Sequence, residues 1–312
     1  MSKYVFGIDI GGTTVKCGLF TEEGDLLDKW EIPTDRSNGG ENVEPDIAKS
    51  VTAKLAEKGI DKADVIGLGM GIPGPVLSDG TVLQCPNLGW GRFNAADKMA
   101  ELTGFNVKAG NDANVAALGE MWKGGGRGFA NMVMVTLGTG VGGGLILNGK
   151  IVSGVNGAAA EIGHMIVNDH EEDVCGCGGH GHLEQYASAT GIVRMAKKAL
   201  GASDKATSLR NIENLTAKDI FDEAKAGDAV AAELVDTLGK YLAQALAHVS
   251  AVVDPDAYVI GGGVSRAGQI LIDAINRHYN KDIMKPLRDK KMVLAQLGND
   301  AGIYGAAKQV ID

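Results

Sequence analysis

The chain opens on short apolar blocks separated by glycine-rich or acidic turns, a pattern of strands rather than of a helix. Residues 4–10 have the composition of a buried strand. Residues 15–20 read as its hairpin partner across the turn Gly11-Gly12-Thr13-Thr14. The acidic turn Glu22-Glu23-Gly24-Asp25 then leads to a third strand at 26–32, which completes an antiparallel meander. From residue 45 to 58 the period changes. Ile47, Val51 and Leu55 recur every fourth residue and predict a helix. Residues 65–70 return to strand, 107–109 form another short one, and 113–122 predict a helix with Val115, Leu118, Met121 and Trp122 on its apolar side.

After the run Gly124-Gly125-Gly126-Arg127-Gly128, which reads as a domain border, the opening pattern recurs. Residues 132–137 form a strand, Gly138-Thr139-Gly140 a turn, and 142–147 a second strand. Two such hairpins, one in each half, suggest a duplicated lobe with a nucleotide held between the copies. The remainder reads as mostly helical around single strands. Residues 229–253 and 270–278 predict helices, and 257–260 a strand ending in Gly261-Gly262-Gly263. A closing helix at 301–310 is expected to return to the first lobe. The expected domains are therefore residues 1–122, completed by the C-terminal helix at 301–312, and a larger α/β domain at 123–300.

Composition narrows the classes. A length of 312 residues suits two domains, and 45% hydrophobic with 22% charged residues is globular rather than disordered. A formal net charge of -9 excludes a nucleic-acid partner as the main reading, because phosphate backbones select clustered Lys and Arg. Residues 1–5 lack the layout of a signal peptide and no apolar run reaches spanning length, so a cytoplasmic protein without a membrane role is expected. Of the four cysteines, Cys175 and Cys177 form a tight pair better suited to a metal than to a disulfide framework. Cys17 and Cys85 read as packing residues.

The 46 glycines prompt a search for phosphate-binding loops. No Gly-x-x-x-x-Gly-Lys-Ser/Thr run exists. Gly-x-Gly-x-x-Gly occurs at Gly69/Gly71/Gly74, Gly138/Gly140/Gly143 and Gly176/Gly178/Gly181, but none opens a helix as dinucleotide binding requires. The two Gly/Thr hairpins fit better. Backbone N–H groups of such turns form anion nests, Gly11 and Gly12 admit phosphate oxygens closely, and Thr13 and Thr14 add hydroxyl donors. Asp9 at the strand end would hold a magnesium-bound water beside the phosphates. The competing reading is a plain hairpin, with Gly-Gly supplying positive φ.

Taken in order, Asp9-Ile10-Gly11-Gly12-Thr13, Gly71-Ile72-Pro73-Gly74-Pro75, Asn111-Asp112-Ala113-Asn114, residues 137–144 and Glu161-Ile162-Gly163-His164 resemble the ROK family of sugar kinases. The likeness spans nearly the whole chain. Residues 86–90 and 184–194 look most like the bacterial glucokinase branch. The resemblance implies a two-lobed actin-like ATPase (ribonuclease H-like) α/β fold with nucleotide and sugar in the interdomain cleft. It also implies ATP with Mg2+, a structural Zn2+, phosphorylation of the 6-hydroxyl of glucose or a related hexose, and a homodimer or dimer of dimers. An ROK-type repressor is disfavoured, since the chain begins at the phosphate hairpin. A non-catalytic actin-like ATPase would not need the sugar-binding set. Fructose, mannose, N-acetylglucosamine and N-acetylmannosamine stay open as alternative sugars.

A sugar hydroxyl needs a base to accept its proton during phosphoryl transfer. Asp112 sits at a strand-to-helix corner, where local sequence alone favours a helix N-cap; by resemblance it is the base. The resemblance likewise assigns Gly71, Asn87, Asn111, Glu161, His164 and Glu184 to the sugar. Taken alone, the acidic residues are better explained as solvated surface groups and Asn87 as a turn former. To the nucleotide it assigns Asp9, Gly11, Gly12, Thr13, Thr14, Lys16, Thr136, Gly138, Thr139, Gly140, Gly261, Gly262 and Gly263. The loop Cys175-Gly176-Cys177-Gly178-Gly179-His180-Gly181-His182 carries zinc-type donors. The family places a third cysteine where this chain has His182, so the expected set is Cys175, Cys177, His182 and His164, with His180 as competitor. Unliganded or redox thiols are the other reading. Ala160 replaces a glycine usual in the family, with only a small backbone adjustment expected.

Overall fold

The computed structural model describes residues 3–281 and 283–311. In chain order the first elements are β1 (Tyr4–Ile10), β2 (Thr14–Thr21), β3 (Leu26–Pro33), α1 (Val43–Lys58), β4 (Val65–Ile72), a small ribbon of β5 (Thr81–Val82) and β6 (Phe93–Asn94), α2 (Ala95–Thr103), β7 (Val107–Asn111) and α3 (Asp112–Lys123). There follow β8 (Met132–Leu137), β9 (Val141–Leu147), β10 (Lys150–Ile151), α4 (Glu184–Ala187), α5 (Ala189–Ala202), α6 (Ala217–Ala226) and α7 (Ala229–Val253). The last are β11 (Ala257–Gly261), α8 (Gln269–Tyr279), β12 (Lys291–Leu294) and α9 (Ala301–Ile311).

Two five-stranded sheets repeat one plan, β3-β2-β1-β4-β7 and β10-β9-β8-β11-β12. In the first, β2 runs antiparallel to β1 and β3, while β1, β4 and β7 are parallel. In the second, β9 and β10 are antiparallel and β8, β11 and β12 parallel. The repeated hairpin seen in the sequence is thus part of a repeated sheet. The chain divides into two compact units. The first comprises residues 1–130, 144–160 and 296–312, and the second 131–143 and 161–295.

In the first unit β1 is central and buried on both faces, which explains why residues 4–10 show no clean polar alternation. One cluster joins Phe6, Ile8, Leu68 and Met70 of the sheet to Ile47 and Val51 of α1 and Met99 of α2. A second joins Val5 and Phe20 to Ile303, Ala307 and Val310 of α9. Full burial of each such side chain contributes about 1.5–3 kcal/mol. The helix α9 lies so near the sheet that a Cβ on Gly7 would clash with the Ile303 carbonyl, and one on Gly69 with that of Ala306. Gly69 and Gly71 lie within β4, which is followed by β5 and not by a helix, so that glycine pattern is not a dinucleotide loop.

In the second unit α7 starts where Asp228 accepts the N–H groups of Val230 and Ala231, and buries Leu234, Leu238, Leu242 and Leu246 at a spacing of four. Sequence reading assigned no element to α2, α5, α6 or β12. Two of them fully bury a single large apolar side chain each, Met99 beside Ala95, Ala96 and Thr103 in α2 and Ile192 beside Gly191 and Ala196 in α5. Among the described residues no helix is long and apolar enough to cross a membrane.

Candidate active site

Within the first unit, parallel pairing aligns Asp9 of β1 with Gly71 of β4, and Gly71 with Gly110 of β7, one residue before Asn111. Carboxyl ends of neighbouring parallel strands are where α/β folds gather ligand-binding groups. Asp9 faces Lys16 in the antiparallel register, with 3.9 Å between Oδ2 and Nζ, and Lys16 also donates to the Asn299 carbonyl at 3.2 Å. Burial raises the Asp9 carboxyl above its usual range, and Lys16 opposes that shift.

The turn between β1 and β2 is closed by Gly11 N–H donating to the Thr14 carbonyl at 3.0 Å. Neither Gly11 nor Gly12 has a positive φ, so the expectation that a plain hairpin would need Gly-Gly for left-handed backbone fails. A Cβ on Gly11 would lie 2.7 Å from the Thr14 carbonyl oxygen, whereas Gly12 borders open space. The first glycine is required by the turn and the second leaves room for an approaching group.

The corner between β7 and α3 corrects a second expectation. Asn111, not Asp112, is the N-cap: its Oδ1 accepts the Asn114 N–H at 3.1 Å. Its Nδ2 donates to the Gly74 carbonyl and to Asp112 Oδ1, both at 3.0 Å. Asp112 occupies the first helical position, half-buried, and its Oδ1 also accepts the Ala113 N–H at 2.8 Å. Sequence could not separate two adjacent residues that both favour caps. Asn87 stands exposed at the tip of a loop pinned by a Cys85–Trp90 backbone pair with bonds of 2.9 and 3.0 Å. Burial pushes the Cys85 thiol up, and the Asp112 carboxylate adds to the shift.

In the second unit, the turn between β8 and β9 is closed by Gly138 N–H donating to the Gly140 carbonyl at 3.0 Å. Two groups at the start of α5 hold it: Ala189 N–H donates to the Gly138 carbonyl at 2.8 Å and the Thr190 hydroxyl to the Thr139 carbonyl at 2.6 Å. Sequence reading missed Thr190 and its neighbour Ser188, which caps α5; the only available signal was a Ser before a helical stretch. A Cβ on Gly140 would lie 2.6 Å from Glu184 Oε2, so this glycine admits the carboxylate. Glu184 thereby stands beside the turn. Thr136 in β8 pairs with Gly261 at the end of β11, and Gly262 is left-handed at φ 82 while Gly263 borders open space.

The cysteine and histidine loop supplies a compact donor set. One ligand atom from each of His164, Cys175, Cys177 and His182 lies within 4.8 Å of all the others; His180 is not in this group. The Sγ atoms are 3.5 Å apart, and Cys177 Sγ is 3.2 Å from His182 Nδ1. Tetrahedral zinc with Zn–S of about 2.3 Å sets ligand atoms about 3.5–3.8 Å apart, so these residues fit such an ion. Cys175 Sγ donates to Glu184 Oε1 at 2.9 Å. Burial, helped by Glu184, pushes the Cys175 thiol up, a shift that a bound cation reverses. Glu161 is exposed, and its Oε2 is 4.0 Å from His164 Nε2. Ala160 corrects the expectation of a small adjustment, for it sits in the left-handed region at φ 64.

The profile of the ROK family matches residues 5–312. The chain is similar to a glucokinase of Halalkalibacterium halodurans, 43% identical over 308 residues, covering 97% of this chain and 93% of that one. Among solved structures it is similar to a ROK family glucokinase from Streptomyces griseus in complex with glucose and AMPPNP, with a TM-score of 0.74, 34% identity and 98% of each chain covered. It is also similar to a ROK hexokinase from Thermus thermophilus, with a TM-score of 0.79, 30% identity, and 97% and 96% of the two chains covered.

Proposed function

The chain belongs to the ROK family, and from that premise we propose that it is an ATP-dependent glucokinase, transferring a phosphoryl group to the 6-hydroxyl of glucose. Its fold is the two-lobed α/β fold of actin-like ATPases. The observation that carries the proposal is the β7–α3 corner. With Asn111 performing the capping, the N-cap role does not account for Asp112, whose carboxylate stands one position past β7, the strand whose Gly110 pairs with Gly71 and through it with Asp9.

In this reading Asp112 accepts the proton of the 6-hydroxyl as its oxygen bonds to the γ-phosphorus, while the bond to the bridging oxygen breaks and ADP departs with that electron pair. Asn111 orients Asp112 through its Nδ2 bond and has one Oδ1 lone pair left to accept from the sugar, joined by Gly71 and Asn87. Glu161, His164 and Glu184 accept from or donate to the remaining hydroxyls. Gly11, Gly12, Thr13, Thr14 and Lys16, with Thr136, Gly138, Thr139 and Gly140, supply donors to the phosphates, and Gly261, Gly262 and Gly263 a flat wall for adenosine. Asp9 is the group to hold the hydrated Mg2+ that accompanies ATP and neutralises phosphate charge.

His164, Cys175, Cys177 and His182 would hold zinc in a closed structural site. Cys175 would bind zinc as its thiolate and would then no longer donate to Glu184, whose carboxylate would be free to accept from sugar hydroxyls. Family membership further supports a cytoplasmic homo-oligomer, to be measured by light scattering.

The test is sugar-dependent ADP release across glucose, fructose, mannose, N-acetylglucosamine and N-acetylmannosamine. Glucose is expected to lead in kcat/KM. Equal slow ADP release with and without every sugar sinks the kinase reading; another leading sugar corrects only the substrate.

A further inference from the structure

One stretch between β3 and α1 touches both the phosphate-side turn and the sugar-side loop of the first unit. At its start Thr34 donates twice to the turn, from its N–H to the Thr13 carbonyl at 2.9 Å and from its hydroxyl to the Gly11 carbonyl at 2.7 Å. Asp35 then locks the chain's direction. It accepts from Ser37 N–H at 2.9 Å, from the Ser37 hydroxyl at 2.6 Å and from Asn42 Nδ2 at 2.9 Å. Those bonds hold its carboxyl below the usual range.

Three consecutive left-handed residues follow, Asn38, Gly39 and Gly40, at φ 50, 70 and 71. They lay the backbone directly on the loop that displays Asn87. The buried Trp90 indole N–H donates to the Gly40 carbonyl at 3.0 Å. A Cβ on Gly89 would lie 2.9 Å from Gly39 Cα, and one on Gly40 would strike the Leu88 carbonyl oxygen and come within 2.8 Å of Trp90 Nε1. Backbone lies against backbone with no room for a side chain. Apart from the rigid Trp90 ring the contact is backbone on backbone, so a displacement passes across it with no flexible group to absorb it.

We propose that residues 34–40 are a positioning strap that sets the Asn87 loop relative to the Gly11–Gly12 turn, so that this one segment governs sugar affinity at one end and nucleotide affinity at the other. The inference rests on the kinase reading above. It adds Thr34, Gly40 and Trp90 as positioning residues, which act through the Gly11–Gly12 turn and the Asn87 loop.

The experiment compares two matched glycines. Gly40→Ala imposes left-handed strain and also displaces residues 88–90. Gly59→Ala, at φ 64 with open space around it, imposes the same strain at the end of α1 without touching the loop. Melting temperatures and full initial-rate kinetics are measured for both. Gly40→Ala is expected to raise KM for glucose roughly tenfold or more, with KM for MgATP within about twofold of the parent. Gly59→Ala is expected to move neither. Thr34→Val, which keeps volume and removes the donor to Gly11, is expected to raise KM for MgATP selectively. Should Gly40→Ala not fold, Trp90→Phe removes the donor to Gly40 and is expected to show the same selective rise for glucose. Equal KM values in the Gly40 (or Trp90) variant and Gly59→Ala overturn the strap and reduce residues 38–40 to packing. Absence of sugar-dependent turnover in the unmodified protein overturns the kinase reading instead, and is scored separately.

Discussion

Asp112→Asn separates catalysis from stability at the β7–α3 corner. The asparagine Oδ1 can still accept from Ala113 N–H and Asn111 Nδ2, and the cap itself belongs to Asn111. What folding loses is one negative charge in the first helical turn, worth about 0.3–1 kcal/mol. What turnover loses is the proton acceptor. A general base contributes roughly 100-fold or more, which is about 2.7 kcal/mol of barrier. The variant should therefore melt close to the parent while kcat, measured by coupled ADP release at saturating glucose and MgATP, falls at least roughly 100-fold. Asn111→Ala provides the contrast, because loss of the cap costs about 1 kcal/mol of stability. Near-normal kcat in Asp112→Asn would refute the assignment, since the hydroxyl proton would then have another acceptor. A large fall in melting temperature would refute the division of labour between the two residues.

Metal analysis is expected to find one zinc per chain, and its removal by a chelator to lower both melting temperature and kcat/KM for the sugar; unchanged kinetics in protein shown to be zinc-free would end the structural role. Ala160→Gly relieves left-handed strain of about 1 kcal/mol, partly offset by the greater freedom of glycine when unfolded, so a small rise in melting temperature is expected and a fall counts against it. The Arg194 guanidinium, at 2.8 Å, holds the Glu171 carboxyl well below the ordinary range, with the Tyr186 hydroxyl donating to it at 2.7 Å. A depressed folded pKa contributes stability that is present above the unfolded value of about 4.3 and is lost as pH falls below it. The stability gap between the parent and Arg194→Met, read from urea midpoints, should thus narrow as pH falls through the carboxylate range. A gap independent of pH would rule out this coupling.

Much of the scaffold was legible because local periodicity records which face of an element is buried. The meander at the start, the long helix Ala229–Val253 and the second Gly/Thr hairpin all follow from residues near one another in sequence. The helices α2 and α5 went unassigned; each fully buries one large apolar side chain, Met99 or Ile192, where α7 buries four leucines in register. The donor set of the metal loop was legible too, since three of its four residues fall within eight positions.

What only the tertiary structure decided are relations across long stretches of chain or between equivalent neighbours. Sequence named Asp112 and Asn111 together, but the bond from Asn114 N–H assigns the cap to one of them and leaves the other's carboxylate at the strand end. Glu184 was named for its chemistry, yet its place between Gly140 and Cys175 depends on how α4 is folded against the β8–β9 turn. Thr34 and Gly40 carried no local signal at all, because their partners lie 23 and 50 residues away. Periodicity encodes burial along one element; the meeting of two loops is encoded only in the order of strands that brings them together.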